Sequence, residues 1–348
     1  MKVAFVYPNS RSAVVDRIAR GEAPDTTLLG QNHLRELGID AIIHDSALRR
    51  RNRRSGLMHR ITWNAREVTL PWELRGVDVA CTPLARVFPL MARARRAPRV
   101  LLVSYHLCAT FERSTPAARR LLRASIRSAA AVVCVSEAGA GRLVELVGLD
   151  ASRVHVAQLG VDERFWAPMP PAPDGYVLTV GRDLARDYAT FARAMAELPV
   201  KAVLVAKREN LTGIALPPNV EVRLDIGADE VRSLYAGAAC VVVPIHGEGH
   251  VHGTENSGTI ALLEAMATGR PTVVTDRPTL RDYVRPGDSA LTVPAEDARA
   301  LGESVSRVLG DPELAAALGG SARRAVDERF TTRALAARLA RVIDGLDR

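Results

Sequence analysis

The chain's 348 residues suffice for roughly two domains at about 150 residues each. A composition of 47% hydrophobic, 25% charged and 4% aromatic residues excludes a largely disordered or collagen-like chain, and no apolar run reaches the ~18 residues of a membrane span. The net charge of +8 is uneven, because residues 1–170 hold 26 Lys and Arg against 15 Asp and Glu, a net of +11, whereas the remainder nets −3.

In chain order, MKVAFVYPNS predicts an opening strand over 2–7 that runs at once into Pro8, Asn9 and Ser10. It lacks the apolar core and small-residue cleavage site of a secretory signal, so a cytoplasmic protein is expected. Four isolated cysteines (Cys81, Cys108, Cys134, Cys240) agree with that, reading as reduced core residues. Val/Ile-rich runs predict strands at 40–44, 77–82, 99–105, 131–136 and 153–158, and helical periodicity predicts helices over 28–37, 116–129 and 138–147. Arginines crowd at RRRNRR, residues 49–54, and at Arg93, Arg95, Arg96 and Arg99. This is a solvated face of an arginine-rich chain, or a patch for an anionic acceptor or for peripheral contact with a membrane surface. Nucleic acid is not an expected partner, because no aromatic residues interleave to stack on bases.

FWAPMPPAPDG, residues 165–175, places four prolines within six residues and reads as a linker. Beyond it, strands are expected at 176–181, 201–206, 220–224, 239–245, 271–275 and 290–293. The alternating helices fall at 187–197, 228–237, 258–268, 297–309 and 312–328. Nearly continuous apolar strands imply parallel sheets covered on both faces. The expected fold is α/β, with two doubly wound Rossmann-like domains over 1–165 and 166–330 and a cleft between them. A last helix within 331–348, with a stripe of Leu335, Leu339, Val342 and Leu346, is expected to pack back on the first domain.

Ligands of such sheets bind beyond the carboxyl ends of the strands, so chemistry is sought in the strand-to-helix loops. The richest is HGEGHVHGTENSGTIALLEAMATGRPTVV after strand 239–245. Gly-rich sequence leads into a helix near Thr259, with Asn256 or Ser257 as the expected N-cap. The unpaired N–H groups and positive dipole end of such a helix suit a phosphate. Glu264 sits one to two turns in, flanked by Leu262, Leu263, Ala265 and Met266, where a charge needs a partner. His246, Glu248, His250 and His252 also raise a metal reading, but alternate residues in a Gly-rich loop fix no geometry and no HExxH helix is present. No metal and no other cofactor is expected.

ENSGTIALLEAMATGRPTVV resembles the donor-binding segment of the retaining glycosyltransferases of family 4, which have the GT-B fold. LGVDERFWAP at 159–168, VGRDLARDY at 180–188, EVRSLYAGAACVVVPI and SARRAVDERFTT resemble further segments of the family in order and spacing. Over residues 1–150 the likeness rests mainly on strand order, SYH at 104–106 and VSE at 135–137. The resemblance implies transfer of a sugar from a nucleoside-diphosphate sugar to a hydroxyl acceptor with retention of configuration, without a divalent metal. Glu264 would hold the donor ribose. Ser257, Gly258 and Thr259 would face the diphosphate, which Arg182, Arg186 and Lys207 would neutralise. His106 would contact the donor sugar or align the acceptor. The family has a second glutamate eight positions before Glu264, where this chain has Asn256, with Glu255 one residue earlier; Glu255, Asn256 or Glu248 would take that sugar contact. Alternative readings are an epimerase-like sugar-nucleotide enzyme of the same architecture or a catalytically silent homologue.

Overall fold

The computed structural model describes residues 1–44, 66–96, 98–170 and 175–346. The RRRNRR cluster lies outside these residues, as does part of the proline-rich stretch. Contacts divide the chain into two units. The first comprises Met1–Ala19, Thr27–Gln158 and Arg333–Arg348, and the second Arg20–Thr26 and Leu159–Thr332.

The first unit is built on six strands: β1 (Lys2–Phe5), β2 (Asp40–Ile43), β3 (Val79–Thr82), β4 (Arg99–Ser104), β5 (Ala131–Cys134) and β6 (Val154–Val156). They lie in the order β2-β1-β3-β4-β5-β6, every pair parallel. β3 and β5 are buried at every position, as the continuous apolar runs require, and Phe88, Phe111, Leu122, Ile126 and Leu143 pack against them. All four cysteines are buried thiols outside any disulfide, and burial pushes the Cys81 and Cys240 thiols up to about 12.

The second unit repeats the plan with β7 (Tyr176–Val180), β8 (Ala202–Ala206), β9 (Val220–Leu224), β10 (Ala238–Val243), β11 (Thr272–Thr275) and β12 (Leu291–Val293). Its order is β12-β11-β10-β7-β8-β9, again parallel throughout. Chain order therefore reverses between β7 and β10, the topological switch point at which ligands of such sheets bind.

Three expectations are revised. The helix expected over 28–37 is two 3₁₀ segments, Asp25–Leu28 and Gln31–Leu37, because Leu29 and Gly30 take left-handed φ values of 57° and 74° between them. Short helices at Ser12–Ala19, Phe88–Ala94 and Leu107–Glu112 were not foreseen; the last, LCATFE, is too short and too apolar to show a period. The first unit also ends at Gln158, not 165. Here Val161 forms a parallel bridge to Thr331, and a Cβ on Gly160 would lie 2.3 Å from the Thr331 oxygen. Trp166 meets Tyr235 edge to face at 5.5 Å. The whole segment is thereby drawn into the second unit.

The helix Thr332–Gly345 buries Leu335, Ala336, Leu339, Ala340 and Ile343. Its residues from Arg333 onward belong to the first unit, where Arg333 pairs with Glu36 at 2.6 Å. The buried stripe thus runs through Ile343, while Val342 and Leu346 are half-buried.

Candidate active site

The two loops at the β7/β10 switch point are stitched together by backbone. The Asp187 N–H donates to the Pro244 carbonyl at 3.2 Å, the His246 N–H donates to the Ala185 carbonyl at 3.0 Å, and Arg186 bridges Ile245. Thr275, at the end of β11, accepts the Ile245 N–H at 2.9 Å. Arg186 is consequently fixed in place. Its side chain is 3% exposed, its Nε is 2.8 Å from Asp183 Oδ2, and its Nη1 is buried without a hydrogen-bond partner. Burial alone would lower its basicity, but the Asp183 carboxylate together with Tyr188 and Tyr235 leaves it raised. The guanidinium lies directly over Gly181, where a Cβ would come 2.2 Å from Nε. Arg182 is exposed and donates to the Ile226 carbonyl. Lys207, leaving β8, is exposed.

The loop after β10 ends in the helix Thr259–Ala267, whose N-cap is Gly258, not Asn256 or Ser257. Gly258 has φ 84°, and a Cβ there would stand 2.2 Å from Ile245 Cδ1, so glycine alone fits. The cap makes no side-chain hydrogen bond, which leaves the helix's first N–H groups without the usual hydroxyl or carboxylate acceptor. Ser257 turns inward, its Oγ accepting the Thr254 N–H at 3.0 Å, and the Thr259 N–H reaches the Asn256 carbonyl at 3.3 Å. Asn256 Oδ1 is buried without a hydrogen-bond partner. Glu255 is 6% exposed, whereas Glu248 is exposed.

Glu264 is half-buried on that helix. The Tyr235 hydroxyl donates to its Oε2 at 3.3 Å, and Arg186 and Arg182 act on it through charge. Burial pushes the carboxyl from 4.5 up to about 7, against the opposing pull of the tyrosine and the two arginines. Glu264, Arg186 and Arg182 are thus brought within electrostatic reach of one another.

His106 stands in the first unit, exposed, as the N-cap of Leu107–Glu112 at the carboxyl edge of β4. His246 and His250 stack at 3.9 Å, with His246 Nδ1 3.4 Å from Glu296 Oε1 and 3.8 Å from Asp187 Oδ2. Among the described residues no three His, Cys, Asp or Glu side chains are arranged to hold a metal ion. Two buried residues beside the site had been given no role: Tyr235, and Arg277, whose Nη2 donates to the Thr254 carbonyl at 3.1 Å. A tyrosine on the buried face of a helix carries a hydroxyl that needs a partner, and that was the available signal for Tyr235. Arg277 gave none, since β11 ends without a recognisable motif.

Two family profiles match the chain in succession: Glycosyltransferase Family 4 over residues 24–165, and Glycosyl transferases group 1 over 175–311. The chain belongs to glycosyltransferase family 4. One relative of this family 4 protein is the D-inositol 3-phosphate glycosyltransferase of Thermobispora bispora. It is 30% identical over 58% of the chain and 53% of its own length. The chain spans little more than half the length of the first curated relatives it matches, 61% and 53% for two others. Among solved structures, sucrose-phosphate synthase from Thermosynechococcus elongatus is similar with a TM-score of 0.75 at 18% identity, covering 100% of this chain and 99% of its own. Anabaena HepE in complex with UDP-glucose gives 0.72 at 14% identity, covering 99% and 100%. At such identities the likeness is one of fold, the two-sheet GT-B architecture. Among the described residues no helix is long and apolar enough to cross a membrane.

Proposed function

We propose that this family 4 protein transfers a sugar from a nucleoside-diphosphate sugar to a hydroxyl acceptor, retaining the configuration at the transferred carbon. The observation that carries the reading is the meeting, at the second sheet's switch point, of a buried arginine, an uncapped helix N-terminus and a half-buried carboxylate. Each matches one part of such a donor. The Glu264 carboxylate accepts from ribose hydroxyls. Arg186 and Arg182, with Lys207 beyond them, balance the diphosphate. The N–H groups following Gly258 receive its oxygens. HepE holding UDP-glucose in the same fold supports a donor of this class.

During transfer the bond from the sugar's anomeric carbon to the diphosphate oxygen breaks, and its electron pair leaves on that oxygen. The acceptor oxygen bonds to the carbon from the same face, and its proton passes to the departing oxygen. Fixed guanidinium groups stabilise the growing negative charge without rearranging, so no divalent cation is assigned to that task. Asn256, with an unpartnered buried Oδ1, takes the contact to the donor sugar in place of the family's glutamate. Its neutral amide orients hydroxyls without adding charge. His106 is assigned to donor-sugar or acceptor contact on resemblance. The basic excess of residues 1–170 suits an acceptor bearing phosphate, and the names D-inositol 3-phosphate glycosyltransferase and sucrose-phosphate synthase each contain a phosphate-bearing compound.

The test is a melting-temperature screen with UDP, GDP, ADP and TDP, followed by turnover of the matching sugar nucleotide with and without a chelator. One diphosphate should raise the melting temperature, and the product linkage read by NMR should keep the donor's anomeric configuration. Failure of every diphosphate to bind, or an inverted product, overturns the reading.

A further inference from the structure

Glu264 has two carboxylate oxygens, and among the described residues the hydrogen bond it receives goes to Oε2 alone. The donor, Tyr235, comes from the helix Ala228–Gly237 and is fully buried, its ring held edge-on by Trp166. Its hydroxyl stands 3.3 Å from Glu264 Oε2 and also 3.3 Å from the Ala261 carbonyl, one turn earlier on the same helix as Glu264. One hydroxyl proton therefore has two acceptors, and only one of them titrates. Arg186 and Arg182 face the carboxyl from the loop after β7. On the packed helix Pro312–Arg329, Arg323 is occupied by the Ala267 carbonyl and Asp327.

We infer that Tyr235 is a positioning residue that favours the ionised form of Glu264 by donating to Oε2, leaving Oε1 to accept from a ligand hydroxyl. When Glu264 is charged, the phenol proton lies on Oε2. When Glu264 is protonated, the phenol proton turns to the Ala261 carbonyl, so neither state strands a buried donor. The role goes beyond packing, since phenylalanine fills almost the same volume but offers no proton. The inference rests on the proposed donor-binding role of Glu264 only for its consequence in binding; the tyrosine–carboxylate coupling stands without a nucleotide.

The hydrogen bond from Tyr235 opposes the upward push of burial on the Glu264 carboxyl, so removing it must raise the titration midpoint further. The experiment compares the native chain with Tyr235→Phe by carbon NMR of labelled glutamate carboxyls, with Glu264→Gln assigning the signal. Without nucleotide, the midpoint of Glu264 should lie higher in Tyr235→Phe by roughly one pH unit, a tenfold change in proton affinity. With the diphosphate that binds, Tyr235→Phe should lose several-fold affinity near pH 6.5 and match the native chain near pH 9. An unchanged midpoint, or an equal loss at every pH, overturns the inference and leaves Tyr235 a packing residue. Should Tyr235→Phe not fold, fluorotyrosine placed at 235 supplies the converse. Its more acidic phenol donates more strongly and should lower the midpoint, and a midpoint that stays put overturns the inference equally. Absence of diphosphate binding by the native chain at any pH would instead strike the proposed function, with the carboxyl titration still deciding the role of Tyr235.

Discussion

The position of Glu264 is costly to the empty protein. Its carboxyl keeps a proton up to about pH 7 in the folded chain, against 4.5 for the free side chain. The native state therefore binds the extra proton between those values. Stability from this group is fully present below about pH 4.5 and is lost as pH rises through 7. Glu264→Gln escapes that loss, so urea denaturation should find the variant more stable than the native chain at pH 8, by roughly 1–3 kcal/mol. The difference should vanish near pH 4, while nucleoside-diphosphate affinity at pH 8 falls. A variant no more stable at pH 8 than the native chain removes the argument. This residue was legible in sequence, because a carboxylate among leucines and alanines on a helix demands a partner. Asn256 was legible only as a departure; its orphaned Oδ1 required coordinates, since whether an amide finds a partner depends on how the loop folds.

Short elements and the turns between them set the chemistry of the switch point. Gly181 and Gly258 serve in different ways: the first leaves room for the Arg186 guanidinium, and the second adopts a positive φ against Ile245. In Gly181→Ala the atoms nearest the new methyl group are those of the Arg186 guanidinium, the far end of a side chain, so the chain should still fold. Arg186 must move, and a charge-assisted contact to the diphosphate is worth ~1.5–3 kcal/mol. Calorimetry should record a loss of diphosphate affinity of about tenfold or more with a melting temperature within a few degrees of native, and unchanged affinity would remove Arg186 from the diphosphate. The twelve strands among the described residues were readable from apolar runs, to within a few residues at their ends. In β3, β5 and β8 burial on both faces leaves no polar positions to blur them, whereas the edge strands β2 and β9 alternate. The helix N-cap was not. Asn and Ser are the commoner caps, but the left-handed φ at 258 and the space taken by Ile245, thirteen residues earlier in the same loop, force glycine into that position.

Across the whole molecule, the C-terminal helix shows how sequence order and spatial grouping part company. The chain completes the second unit at Thr332, then returns residues Arg333–Arg348 to the first. Ile343 there is fully buried, so Ile343→Ala should destabilise the first unit by about 2–5 kcal/mol, read as an earlier unfolding transition in urea. An unchanged transition would mean that the helix is not docked. The amino-acid sequence by itself determined the α/β class, the two sheets, the family and the loops in which chemistry is sought, since these follow from apolar periodicity, glycine placement and local motifs. Only the tertiary structure decided that Gly258 caps the helix Thr259–Ala267, that Leu159–Trp166 joins the second unit, and that Tyr235 reaches Glu264 across 29 residues of chain. Those facts depend on which side chains exclude one another and which buried hydroxyl finds an acceptor, and such contacts between distant segments exist only once the sheets have closed over their cores.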